Sequence, residues 1–137
     1  MVQANADVVM GVVRATNRRD TDAFLDWLHH DVEWKESRDS FPGLGGTYRG
    51  RAEVRAWFDE AFGPLWASSH MQVEEILEGS GERIVLGFLR TARGRASGVE
   101  TNLRGWNVFW FAKGKIARRE GPFRDRAKAL EAVGLHE

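Results

Sequence analysis

The spacing of hydrophobic positions changes character partway along the chain. Val8, Val9, Val12 and Val13 recur at helical spacing, with Asn5 placed to cap that helix and Asp7 in its first turn. Arg14, Arg18 and Arg19 gather towards its end, and Asp20 restarts the chain as a second N-cap. Phe24, Leu25 and Leu28 form one face of the short helix that follows, so the two helices are expected to pack as a hairpin. His29 and His30 read as residues that end that helix. Asp31–Glu36 then alternates Val32, Trp34 and Glu36 against Glu33 and Lys35, which is strand periodicity. Phe41–Gly46 (FPGLGG) reads as a loop. Gly50 opens a third helix with the stripe Val54, Trp57, Phe58, Ala61 and Phe62, ended by Gly63–Pro64.

From there the period is two. Met71–Leu77, Arg83–Arg93, Val99–Ala112 and Lys115–Phe123 are predicted strands, separated by Glu78–Glu82, Gly94–Gly98 and Lys113–Gly114. These separators have the length and composition of hairpin connections, so the sheet is expected to be antiparallel. Asp125 caps a last helix, Arg126–Val133, stopped by Gly134. Helices followed by a run of strands indicate an α+β domain rather than βαβ units. Strands of ten or more residues twist and curl. The expected fold is a cone: a curved antiparallel sheet with the N-terminal helices on its concave face and a cavity at the open end, a common place for ligands. Thr101–Phe111 is apolar on both faces. Leu103, Asn107 and Phe109 share one face, and Trp106, Val108 and Trp110 share the other. Bare in water, the second face would be an unusual apolar patch. A homodimer built sheet against sheet is therefore expected, the alternative being cover by the C-terminal segment of the same chain.

Composition narrows the function class. The 137 residues suit a single domain, 1–137, large enough to bury a real core. Twenty basic and twenty acidic residues are interspersed, unlike the footprint of a nucleic-acid binder. With no cysteine there are no disulfides, thiolate zinc sites or thiol nucleophiles, and a reducing compartment fits. No apolar run nears the roughly 20 residues of a membrane helix, and Met1–Met10 lacks a basic start. A cytoplasmic protein with no membrane partner is expected. Six tryptophans and eight phenylalanines against one tyrosine are more aromatic bulk than a small core needs, which favours a lined cavity.

Five segments carry a family resemblance. They are NRRDTDAFLDWLHHDVEW (Asn17–Trp34), TYRGRAEVRAWF (Thr47–Phe58), RGRASGVE (Arg93–Glu100), GKIARRE (Gly114–Glu120) and DRAKALEAVGL (Asp125–Leu135). In this order they resemble the SnoaL-like branch of the nuclear transport factor 2-like superfamily. That superfamily holds polyketide cyclases, ketosteroid isomerases, limonene epoxide hydrolases and dehydratases. The resemblance implies the cone fold; its segments are turns, caps and packing, so chemistry must be read from the site. Against the isomerase pattern, Glu36 falls at the position of the carboxylate base and Asn107 close to that of an oxyanion-hole aspartate. Val12, which cannot donate a hydrogen bond, stands close to the tyrosine position and speaks against steroid isomerisation. Against the hydrolase pattern, Arg90, Arg119 and Glu120 supply charges without matching its Asp–Arg–Asp set.

The candidate catalytic pair is thus Glu36 and Asn107. Glu36 is either a general base in an apolar mouth or a strand-end carboxylate paired with an arginine such as Arg38. Asn107 either stabilises an oxyanion or is a satisfied core amide. Arg90 ends the face of Ile84, Leu86 and Phe88, where it must pair, with Glu36 for example, or reach an anionic substrate at the mouth. Of the neighbours Arg119 and Glu120 only one can face inwards on a regular strand, and a bulge near Pro122 leaves the choice open. Trp34, Tyr48, Trp57, Phe58 and Phe62 would line the cavity with Leu86, Phe88 and Phe109. His70 reads as a surface residue, and His29, His30 and Asp31 lack the spacing of a metal motif, so neither metal nor cofactor is expected. Three functions follow. One is cofactor-free acid–base chemistry on a small apolar cyclic or polyketide-like substrate. The second is a binding module for a hydrophobic ligand. The third is a dimerisation domain whose collapsed pocket falls short of about 300 Å³.

Overall fold

The structure, a computed structural model, describes residues 2–38, 43–79 and 81–135. Among these the elements run α1 (Val2–Asn17), α2 (Thr21–Asp26), β1 (Leu28–Glu36), β2 (Gly46–Arg49) and α3 (Gly50–Ala61). They continue with β3 (Trp66–Gly79), β4 (Arg83–Gly94), β5 (Glu100–Ala112), β6 (Lys115–Phe123) and α4 (Arg126–Ala132). All strands join one sheet in the order β2-β1-β6-β5-β4-β3. The second half follows the hairpin signals: β3, β4, β5 and β6 pair antiparallel in sequence. The first half closes the sheet differently. β1 lies parallel to β6, and β2 pairs antiparallel with β1. Part of the expected Phe41–Gly46 loop, residues 41 and 42, and Ser80 of the Glu78–Glu82 connection lie outside the described residues.

Two caps stand where the sequence puts them: Asp20 accepts from the Ala23 amide and Asp125 from the Ala127 amide. Two expectations are corrected. α1 begins at Val2, so Asn5 is buried inside the helix rather than capping it. His29 and His30 belong to β1, because α2 already ends at Trp27, whose amide closes onto Leu25 and Phe24. β2 was also not foreseen: Gly46–Arg49 is mostly exposed and offers no apolar alternation to read.

The core divides over the two faces of the sheet. On the concave face, α1, α2 and α3 bury Val9, Val12, Phe24, Val54 and Phe58 against Val32, Trp34, Ile84, Leu86, Phe109 and Ile116. On the other face α4 lays Ala129, Leu130 and Val133 over Val85 and Val108, with Trp106 and Trp110 packed at the margin. The chain therefore covers this outer face itself. Val108 is fully buried without a second copy, which removes the bare patch from which a dimer was expected. Trp106 is held by its indole bond to Glu75, and Trp110 lies between the guanidiniums of Arg83 and Arg118. Among the described residues no helix is long and apolar enough to cross a membrane.

Candidate functional site

β5 supplies the axis of the concave face. Side chains on one face of a strand repeat every second residue, about 6.8 Å apart. Along β5 this gives Phe109, Asn107, Gly105 and Leu103 in turn. Phe109 pairs with Ile84 on β4, Asn107 with Leu86, Gly105 with Phe88, and Leu103 with Arg90. Arg90 in turn faces Met71 on β3. A cavity between this face and the helices is lined by Trp34, Glu36, Trp57, Phe62, Leu86, Phe88, Arg90, Asn107, Phe109 and Arg119. Val12, Val13, Thr16, Phe24, Met71, Leu103 and Pro122 complete its wall. Its volume is about 40 Å³, room for a few waters. A side chain on Gly105 would meet the Phe88 ring and Pro122, so the bareness of that residue admits both into the middle of the cone. This filling is why the cavity is narrow.

Three polar side chains meet at its inner end. The Arg119 guanidinium donates through Nη1 to Glu36 Oε1 at 2.5 Å and through Nη2 to Asn107 Oδ1 at 2.9 Å. Nη1 also reaches the Lys35 carbonyl at 3.3 Å. The guanidinium lies 4.8 Å from the Trp34 ring centre and 5.5 Å from that of Trp57. Glu36 and Arg119 are each 3 % exposed and Asn107 is 5 % exposed. A buried carboxylate needs such a counter-charge and fork geometry. Because arginine only donates, Asn107 must turn its oxygen to Arg119, and its amide N–H groups point elsewhere. β6 can pass this close because residue 121 is glycine: its φ is +153°, and a Cβ there would fall on Asn107 Oδ1.

Two bulges on β6 bracket Arg119. The β5–β6 register slips between Trp110 and Phe111, which adds a residue at Ala117 and turns Arg119 inwards, and again between Trp106 and Val108, at Gly121 and Pro122. Arg119 consequently pairs with Phe109 and Trp34 and faces the cavity. Glu120 pairs with Val108, meets Arg118, and lines a separate polar cleft of about 320 Å³ with Lys35, Ser37, Asp125 and Lys128. Glu36 and Pro122 form the wall between this cleft and the cavity.

Arg90 does not bond to Glu36. It donates to the Ala61 carbonyl and Ser69 Oγ, each at 3.0 Å, and stacks on Phe62 and Trp66. Burial pulls its guanidinium down to about 10, with the Glu36 charge opposing and Arg19 assisting. Arg38 makes no bond to Glu36 either; Arg119 takes that role. Tyr48 and Phe58 lie off the cavity. Tyr48 donates to the Leu44 carbonyl, its phenol pushed up by burial and by the nearby Glu36. Phe58 is packed on Phe24 at 4.3 Å. The wall residues missed in the sequence come from the inner side of α1, from Phe24 on α2, and from Met71, Leu103 and Pro122. Val12, already marked by the resemblance, was the one signal for α1.

Four buried polar atoms around this cavity have no hydrogen-bond partner: Glu36 Oε2, Arg119 Nε, Trp34 Nε1 and Trp57 Nε1. One is an acceptor and three are donors. Buried polar groups are ordinarily satisfied, so four around one cavity are the site's chemical signature. Elsewhere, His29, His30 and Asp31 bring one ligand atom each within 4.8 Å of one another. The β1–β6 register shift between Leu28 and Glu33 lets the two imidazoles stack at 4.3 Å instead of alternating. The cluster lies at the surface, and His29 Nδ1 is already taken by the Asp31 amide.

A six-stranded cone with helices over its concave face and a lined inner cavity is the architecture of the nuclear transport factor 2-like proteins. Residues 9–119 match the SnoaL-like domain, and the chain belongs to that family. An NTF2-like protein of unknown function from Burkholderia pseudomallei K96243 is 30% identical. The match covers 96% of this chain and 98% of that one, with a TM-score of 0.75. TerC, co-crystallized with polyporic acid, is 22% identical over 95% of this chain and 97% of its own, with a TM-score of 0.73. RV0760c from Mycobacterium tuberculosis, in complex with estradiol-17beta-hemisuccinate, is 19% identical over 86% and 92%, also with a TM-score of 0.73. The last two likenesses concern the fold. No curated protein matches the chain in sequence.

Proposed function

We propose that this domain binds a small molecule with an apolar body and one hydroxyl, enol or acid group. The polar group would be held at Glu36, Asn107 and Arg119. The observation that carries this reading is the set of four orphaned polar atoms, one acceptor among three donors, around a cavity otherwise walled by apolar side chains. A hydroxyl-bearing group answers both kinds at once. Polyporic acid with TerC and a steroid hemisuccinate with RV0760c support a ring-shaped body. At about 40 Å³ the cavity is closed to such a body, well below the roughly 300 Å³ of ordinary ligand sites. Entry therefore requires side chains to move. Met71 and Leu103, half-buried on either side of Arg90, are the gate, and Phe88 is the plug behind it.

The unengaged Glu36 Oε2 favours a second reading on the same site, acid–base catalysis without a cofactor. In it Glu36 takes the proton while the Asn107 amide and Arg119 Nε stabilise an oxyanion. The test is titration of the protein with polyporic acid and with estradiol-17β-hemisuccinate, following the indole N–H signals of Trp34 and Trp57 by NMR. Saturable shifts of both signals are expected with at least one probe, and Glu36→Gln should weaken binding about tenfold. If neither probe moves the indoles of the folded protein, the closed cavity is structural and the proposal fails. Recovered ligand of altered chemical structure, a change lost in Glu36→Gln, would favour the enzyme over the binder.

A homodimer through the outer face would have to use what α4 leaves half-exposed, the margins of Trp106 and Trp110. Sedimentation as a monomer would remove it.

A further inference from the structure

We propose that the groove between the α1–α2 turn and the start of β3 is a second binding site, for an oxyanion such as a phosphate or carboxylate group. The groove has a volume of about 410 Å³, with Arg19, Thr21, Asp59, Pro64 and Arg95 on its walls. Two guanidiniums converge there. Arg19 donates through Nη1 to the Trp66 carbonyl at 2.9 Å, and Arg95 reaches the same oxygen through Nη2 at 3.5 Å. Arg95 Nε is fixed on the Pro64 carbonyl at 2.9 Å. Backbone carbonyls thus hold both forks in place without neutralising either charge. Arg19 Nη2 is buried with no hydrogen-bond partner.

The placement of Arg19 is a further sign. Its backbone sits at φ +54°, a left-handed conformation that costs a non-glycine residue energy. This turn directs a long cation against β3 where a glycine would close the same turn more easily. The carboxylate on the groove wall, Asp59, accepts from Thr21 Oγ1, and among the described residues neither Arg19 nor Arg95 has a carboxylate partner. Arg90, stacked on the neighbouring Phe62 and Trp66, adds a third positive charge, and the charge of Arg19 helps to lower its pKa. Three guanidiniums around one tryptophan repel one another. An oxyanion between Arg19 and Arg95 would relieve that repulsion through charge-assisted bonds to the two guanidiniums. Phe62 lines both this groove and the inner cavity, so the two spaces are separate but share one wall.

The experiment is an NMR titration of the full chain at low salt with inorganic phosphate and, separately, with benzoate, following the amides of Thr21, Gly63 and Arg95. Saturable shifts with a dissociation constant below roughly 10 mM are expected for at least one probe, weakening as salt is added. Tighter phosphate binding would identify a phosphate ligand, and tighter benzoate binding an organic carboxylate. Arg95→Gln, on an exposed side chain, should weaken binding about tenfold or more. Arg19→Gly keeps the turn and should do the same. Arg93→Gln on the same hairpin should change nothing, because Arg93 does not line the groove. Absence of saturation, or equal affinity in Arg95→Gln and wild type, overturns the proposal. Should Arg19→Gly fail to fold, Arg95→Gln decides alone.

Discussion

The two faces of β5 are built from neighbouring residues and do opposite things. Val108 and Trp110 point outwards into a small cluster under α4, where Trp106 Nε1 has a partner and one buried polar atom, Arg83 Nε beside Trp110, has none. Asn107 and Phe109 point inwards to a larger core, where a charged pair is fully buried and four polar atoms are left unanswered. The outer face is what stability alone produces: apolar contact, with its charges at the rim. The inner face carries a cost that packing does not explain, since well-packed apolar residues often replace a buried ion pair without loss of stability. Unsatisfied polarity gathers on the inner side of the sheet, four atoms on β1, α3 and β6 against Arg83 Nε on the outer side.

The sharpest way to break this contrast is to split the inner pair. Arg119→Met leaves the Glu36 carboxylate buried without its counter-charge and should destabilise the domain by about 3–5 kcal/mol, read by urea denaturation. Glu36→Leu combined with Arg119→Met removes both charges and should recover most of that loss. If the double variant is no more stable than the single one, the pair is a structural keystone and the contrast between the faces disappears.

On the outer face, Leu130→Ala should cost less, about 2–3 kcal/mol, the low end for a buried leucine. α4 has seven residues and is, among the described residues, the one helix over this face of β4 and β5, so it can settle into the space left. The effect should add to that of Arg119→Met within about 0.5 kcal/mol, because the two sites share no partner. The indole signals of Trp34 and Trp57 should stay in place. A shift there on Leu130→Ala would show that the faces communicate through the sheet.

How much of this the sequence reveals depends on the kind of signal. The hairpin order of β3 to β6, the caps at Asp20 and Asp125 and the inward direction of Glu36 follow from local periodicity and turn chemistry. The parallel β1–β6 pairing is a long-range choice with no local mark. The partner of Glu36 was legible only as an arginine. Arg38 is nearer in sequence and Arg90 lies on the right face, but the β6 bulge between Ile116 and Arg118 turns Arg119 inwards. Where that extra residue sits depends on tertiary packing. Tyr48 and Phe58 show the converse error. Their aromatic character suited a cavity wall, yet one is spent on Leu44 and the other on Phe24.

The smallest effect sharpens the outer side of the comparison. Glu75 accepts from Arg126 and from the Trp106 indole, and these bonds hold its carboxyl below the ordinary carboxylate range. A lowered folded value means that the stabilisation is complete above the unfolded value of about 4.3 and is lost as pH falls through the folded one. Both partners are about a third exposed, so the pair is worth only about 0.2–1 kcal/mol. Glu75→Gln should therefore lower stability slightly at neutral pH and leave it unchanged at the acid end, where wild-type Glu75 is already protonated. Urea midpoints measured from pH 7 down to pH 2 test this, and a gap between the two proteins that persists at the acid end would show that Glu75 acts through packing rather than charge. The buried inner pair is screened far less by water and salt, which is why splitting it should cost several times more than losing Glu75.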